Sequence, residues 1–174
     1  MVINRDIYLN RLIASKHNGL IKIITGLRRC GKSYLLFKLF KEHLRNVGVD
    51  DNHIIQVDLE DRRNKNLRNP DVLLAHIDSK MKDNDMYYIL LDEVQCVKDF
   101  EDVLNSYLKI ENADIYVTGS NSKFLSTDII TEFRGRGTQI CVHPLSFAEI
   151  MSVSNYAEPI VENKVIIEEQ AIEN

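Results

Sequence analysis

Apolar residues fall in short blocks whose spacing changes from block to block along the chain. Residues 5–17 place Ile7, Tyr8, Leu12 and Ile13 near helical spacing before Asn18-Gly19, which predicts a short amphipathic helix. Leu20 to Thr25 is a β-rich run and predicts a strand. Apolar positions from Tyr34 through Leu35, Leu36, Phe37, Leu39, Phe40, Leu44 and Val47 predict a helix reaching about Gly48. His53 to Leu59 predicts a second strand. Asn69-Pro70 has the form of an N-cap with proline at the first helical position, and Val72, Leu73, Leu74, Ile77 and Met81 form the apolar side of the helix it opens. Tyr87 to Leu91 is a strand apolar on both faces. Asp99 opens a helix with Phe100, Val103, Leu104 and Leu108 as its buried face. Asp114 to Thr118 is the next strand, residues 123–133 a helix, and Thr138 to Val142 a fifth strand. Ser146-Phe147-Ala148-Glu149 is a capping box that starts a short helix. From Ser154 onwards Val165-Ile166-Ile167 mixes with acids without a period, and no element is assigned.

Strands alternating with helices imply an α/β fold, a parallel sheet covered by helices on both faces. The expected organisation is one core over 1–152 and a tail over 153–174. Composition agrees: 44% of the 174 residues are apolar and 28% charged, as in ordinary globular proteins. The apolar runs are far too short for a membrane span, and Met1 to Asp6 passes straight into charged sequence without a signal peptide. Cys30, Cys96 and Cys141 lie too far apart for a zinc pattern and are odd in number. They read as reduced, mostly buried thiols of a cytoplasmic protein. A net charge of −4 does not favour nucleic acid. One basic knot, Arg62, Arg63, Lys65 and Arg68, could touch nucleic acid or a neighbouring subunit. Flanking Asp58, Glu60, Asp61 and Asp71 make a solvated loop the plainer reading.

Two stretches carry chemistry. Gly26-Leu27-Arg28-Arg29-Cys30-Gly31-Lys32-Ser33 matches G-x-x-x-x-G-K-[S/T], between a predicted strand and a predicted helix. Gly26 and Gly31 permit backbone angles that turn successive N–H groups towards an anion. Lys32 offers a compact charge to the β- and γ-phosphates and Ser33 a hydroxyl to Mg²⁺, while the helix N-terminus adds its positive end. The bland alternative is a lysine-bearing turn between two core elements. The second stretch is Asp92-Glu93, delivered at the C-terminal end of a buried strand, where ligands gather in open parallel sheets. Asp92 suits Mg²⁺ and Glu93 suits a base acting on the attacking water, although acids also suit any turn. Ser120 and Asn121, at the next strand tip, either hydrogen-bond a γ-phosphate or cap the following helix. Arg134 and Arg136 are turn charges, or they reach a phosphate in this subunit or a neighbour as an arginine finger does.

With these readings in hand, Thr25 to Ser33, Leu91-Asp92-Glu93-Val94-Gln95, Val117 to Ser122, Gly135-Arg136-Gly137 and Pro144-Leu145-Ser146-Phe147-Ala148-Glu149 together resemble the prokaryotic AAA-type ATPases. In that family an ATPase core precedes a C-terminal domain of unassigned role. The resemblance implies a three-layer P-loop NTPase with five parallel strands in the order 5-1-4-3-2. It further implies ATP and Mg²⁺ as cofactors. Gly26, Arg28, Arg29, Cys30, Gly31, Lys32, Ser33 and Tyr34 would line the nucleotide, Ser33 and Asp92 would hold the metal, and Lys32 and Glu93 would serve catalysis. Ser120 and Asn121 would sense the γ-phosphate. Arg136 would act on a neighbour, which implies self-association across its surface. Family members continue well past the point where this chain ends, so slow turnover is expected, with the protein partner unspecified. Rival readings are a nucleotide-gated interaction module and a nucleic-acid-associated motor fragment.

Overall fold

The computed structural model describes residues 3, 5–119, 133 and 135–151. Helix α1 (Asp6–Ala14) leads into β1 (Ile21–Gly26). Helix α2 follows in one run, with an α-helical turn over Lys32–Tyr34, a wider π-helical stretch over Leu35–Phe40 and an α-helical end over Lys41–Asn46. Then come β2 (Ile54–Asp58), a 3₁₀ segment (Arg62–Arg68), α3 (Pro70–Asp78), β3 (Tyr87–Asp92), α4 (Phe100–Tyr107), β4 (Ala113–Thr118), β5 (Gly137–Val142) and α5 (Phe147–Met151). All strand pairs are parallel and the order is β2-β3-β4-β1-β5, the expected 5-1-4-3-2 read from the other edge.

Strand periodicity divides the core into two layers. Ile21, Ile23, Tyr87, Ile89, Leu91, Ile115 and Val117 face one side, where they pack with Leu73 and Ile77 of α3 and Phe100, Val103 and Leu104 of α4. Ile24, Tyr88, Leu90 and Tyr116 face the other, against Leu12 of α1 and Leu35, Leu36, Phe40 and Leu44 of α2. Period-two strands covered by helices on both faces make the third layer obligatory.

The predicted caps are present. Asn69 Oδ1 accepts from the N–H groups of Asp71 (3.0 Å) and Val72 (3.3 Å). Ser146 N–H donates to Glu149 Oε2 at 2.8 Å, and Glu149 N–H donates to Ser146 Oγ at 3.3 Å. Three details differ from the reading of the sequence. Val72 is 40% exposed, because α3 turns Leu73 and Ile77 inward instead. Tyr107 joins the buried face of α4 ahead of Leu108, which is only partly buried; the Tyr107 hydroxyl donates to Asp78 Oδ1 at 2.6 Å, joining α4 to α3. Cys30 is buried, but Cys141 is exposed on the edge strand β5; all three cysteines are free. In the basic knot, Arg68 donates to the carbonyls of Leu59 and Glu60, and Arg63 pairs with Asp61. The predicted helix over 123–133 and the tail lie outside the described residues, apart from Phe133.

Candidate nucleotide-binding site

The loop between β1 and α2 has the backbone that its glycines foretold. Gly26 has φ 145°, Arg29 φ 63° and Gly31 φ 93°. At Gly26 space is decisive as well: a Cβ there would stand 2.2 Å from the Val142 carbonyl oxygen, so the loop lies flush on the end of β5. Lys32 is buried at the start of α2, and its Nζ donates to the carbonyls of Gly26 (3.2 Å) and Leu27 (2.9 Å). Among the described residues it has no carboxylate partner.

Facing the loop, β3 ends at Asp92, which is 4% exposed. Its Oδ1 accepts from the Thr118 hydroxyl at 2.5 Å, and the Ser33 side chain lies near enough to favour its charged form. Burial pushes the Asp92 carboxyl above the ordinary range; the Thr118 and Ser33 side chains oppose this, while the nearby charges of Glu93 and Asp58 add to it. Asp58 is its register partner at the end of β2. Glu93 follows in a left-handed conformation (φ 52°), its N–H donating to Thr118 Oγ1 at 3.0 Å and its carboxylate accepting from the Gln95 amide. Thr118 therefore links both acids through one hydroxyl. The tip of β4 also ties back to β1, Gly119 N–H donating to the Ile24 carbonyl at 3.2 Å. Ser33, at the start of α2, and Asp92, at the end of β3, are thus brought near one another at the foot of the loop.

Beside the loop lies a pocket of about 480 Å³. Ile3, Tyr34, Pro144, Leu145 and Ile150 line it, and Arg29, Cys30 and Gly31 close it on the loop side. That volume falls in the ligand-pocket range of roughly 300–1,000 Å³. Tyr34 holds one wall, its hydroxyl accepting from Ile3 N–H at 3.3 Å. Arg28 points away and pairs with Glu60 at 3.0 Å on the surface.

Arg136 lies at the opposite end of the sheet. Its carbonyl accepts from Ile21 N–H at 2.9 Å, and its Nη1 donates to Asn105 Oδ1 at 2.9 Å. Since β1 and β5 run in register from Ile21↔Gly137 to Gly26↔Val142, Arg136 stands a strand's length, roughly 20 Å, from its own loop. Gly137, which follows it, is a packing glycine: a Cβ would meet Ile23 Cδ1 at 2.7 Å. Ser120, Asn121 and Arg134 lie outside the described residues. Reading the sequence missed Thr118, Gln95, the pocket wall over 144–150, and Arg5, whose guanidinium touches the Cys30 carbonyl. A polar residue at the tip of a central strand could have flagged Thr118; nothing local marks Arg5.

Comparison with known proteins agrees with this geometry. The family described as "AAA domain" matches residues 18–151. An uncharacterized protein of Haemophilus influenzae is 33% identical over 155 residues, which is 88% of this chain and 38% of that protein. One of Methanocaldococcus jannaschii is 34% identical over 159 residues, 89% of this chain and 32% of that protein. The chain thus spans about a third of the length of these relatives. Among solved structures, the Walker-type ATPase PABY2304 of Pyrococcus abyssi superposes with a TM-score of 0.60 at 17% identity, over 85% of this chain and 55% of that one. No helix among the described residues is long and apolar enough to cross a membrane. Strand order, loop backbone and a match over most of the sequence converge: the chain belongs to the AAA domain family and covers its P-loop, ATP-binding core.

Proposed function

We propose that this core binds ATP with Mg²⁺ and hydrolyses it slowly. The observation that carries the reading is the placement of Asp92 near Ser33 at the foot of the loop: a buried carboxylate, raised in pKa, with hydroxyls about it and, among the described residues, no cation paired with it. Such a donor set fits a hard cation that prefers oxygen ligands. Mg²⁺, held by Ser33 and Asp92, would neutralise charge developing on the phosphates.

The chain's own residues supply the rest. The loop N–H groups and the N-terminus of α2 receive the phosphates, and Lys32 exchanges the Gly26 and Leu27 carbonyls for phosphate oxygen. Gly26, Arg29, Cys30, Gly31 and Tyr34 complete the cradle, to which Arg28, its side chain paired with Glu60, lends only its backbone, and the 480 Å³ pocket takes the base between Tyr34 and the wall formed by Pro144, Leu145 and Ile150. Glu93 accepts a proton from the attacking water, with Gln95 orienting its carboxylate. Ser120 and Asn121 read the γ-phosphate. Arg136 serves a neighbouring copy, since its own loop is out of reach. Free cysteines suit a reducing cytoplasm.

Phosphate release from MgATP, followed over a wide range of protein concentration, tests this. Glu93→Gln should keep ATP bound and slow release about 10²-fold. Specific activity should rise with concentration if Arg136 acts across a boundary. Binding without turnover in the wild type would make the chain a nucleotide-gated interaction module instead.

A further inference from the structure

We propose that Arg5 is the positioning residue of the nucleotide site: it holds the phosphate loop in its anion-binding shape and locks it to the segment that follows β5. The proposal rests on the nucleotide reading above. A loop that turns its N–H groups inward must turn carbonyls outward, and an outward carbonyl that is buried needs a donor. For Cys30, in the middle of the loop, that donor is Arg5 Nη1 at 2.6 Å. The Gly26 and Leu27 carbonyls take their side-chain donor from Lys32, which a bound phosphate would draw away. The Arg5 bond is the one of the three that a bound phosphate would leave in place.

The same guanidinium reaches two more segments. Its Nη2 donates to the His143 carbonyl at 2.7 Å, and its Nε pairs with Glu149 Oε1 at 3.1 Å. Its face lies 4.6 Å over the Tyr8 ring, whose hydroxyl accepts from His143 N–H at 3.2 Å. The Arg5 side chain is 1% exposed. Neutralising a buried arginine needs only Glu149. Aiming its planar fork at two carbonyls, in the loop and after β5, fixes where those segments stand relative to one another. They are also walls of the pocket assigned to the base, so Arg5 sets the spacing between the phosphate cradle and the base site.

The test compares Arg5→Lys with wild type for binding of MgATP by calorimetry, and of inorganic tripolyphosphate by competition against MgATP. Lysine keeps the charge but cannot hold three acceptors in one plane. Both ligands should bind about 10-fold more weakly or worse, the scale seen when an outer group that orients a binding site is lost. Val103→Ala, a core truncation in α4 remote from the loop, should lose stability yet keep affinity for both. If Arg5→Lys binds both ligands as tightly as wild type, the proposal is overturned; so it is if Val103→Ala weakens them equally. Should Arg5→Lys not fold, Glu149→Gln carries the test. It keeps the capping acceptor and loosens the guanidinium, and about a 3-fold loss is expected, the weight of one partly exposed ion pair; unchanged affinity overturns the idea. Wild-type protein that binds neither ligand would refute the nucleotide reading itself, a distinct result.

Discussion

The two ends of the same sheet both bury charge, and they treat it in opposite ways. At the N-terminal end, fully buried Lys22 pairs with Asp114 and donates to the Leu20 carbonyl at 2.8 Å. Asp114 also accepts from the Tyr116 hydroxyl (2.8 Å) and from His17 N–H (3.1 Å), and the His17 ring meets the Tyr88 hydroxyl at 2.8 Å. Burial lowers the Lys22 pKa while Asp114 opposes the shift, and burial together with Asp114 drives the Tyr116 hydroxyl well above its usual range. At the C-terminal end, Asp92 meets hydroxyls and other acids, and Lys32 meets carbonyls. A charge whose opposite lies inside the fold is complete. One that faces only neutral dipoles or like charge is complementary to something outside the chain: an anion for Lys32, a cation for Asp92.

The sharpest way to break this contrast is Asp114→Ala. It strands Lys22 in the core and should cost about 3–5 kcal/mol in denaturant unfolding. Adding Lys22→Met should recover much of that loss, and any folded fraction should bind MgATP normally. A cost below about 1 kcal/mol would mean that the network is not a closed pair. Lys32→Ala should do the reverse. MgATP affinity should fall on the order of 10²-fold in calorimetry, the weight of a charged group aimed at phosphate in a water-poor site. Its thermal midpoint should stay within a few degrees of wild type.

The smallest expected effect concerns Asp92. Its folded pKa is raised, so the native state holds the proton longer than the unfolded chain. Below pH 3.8, the ordinary value, both states are protonated and burial carries no penalty; as pH rises through the raised value the penalty develops in full. Asp92→Asn should therefore stabilise the metal-free protein at neutral pH by about 1 kcal/mol, as relief of strain at a functional site does. The gain should shrink as pH falls towards 4. Added Mg²⁺ should raise the melting temperature of wild type and not of the variant. A variant no more stable than wild type at pH 7 would remove the unpaired-charge argument.

Much of the site was legible because its parts are local. The phosphate loop depends on eight consecutive residues and its flanks, and Asp92-Glu93 on one buried strand's end. Ser146 and Glu149 were readable as a cap because a capping box closes within three residues. What escaped was what crosses the chain. Val72 was assigned to the wrong side of α3 because periodicity finds a face without its rotation against a neighbour. Nothing beside Gly137 in the sequence announces that Ile23, on the adjacent strand, occupies the space a side chain there would need.

The sequence by itself determined that this chain alternates strands with helices, that it cradles phosphate after β1, and that it ends a buried strand in two acids. These rest on backbone preference and on spacings short enough for neighbours to enforce. Only the tertiary structure decided that Thr118 would link Asp92 to Glu93, that Arg136 would stand at the far end of the sheet, and that Glu149 would hold Arg5 as well as cap α5. Each of these joins residues that become neighbours only when parallel strands order themselves by burial rather than by sequence. Arg5 and Glu149 are 144 positions apart, and the collapse of the sheet brings them within 3.1 Å.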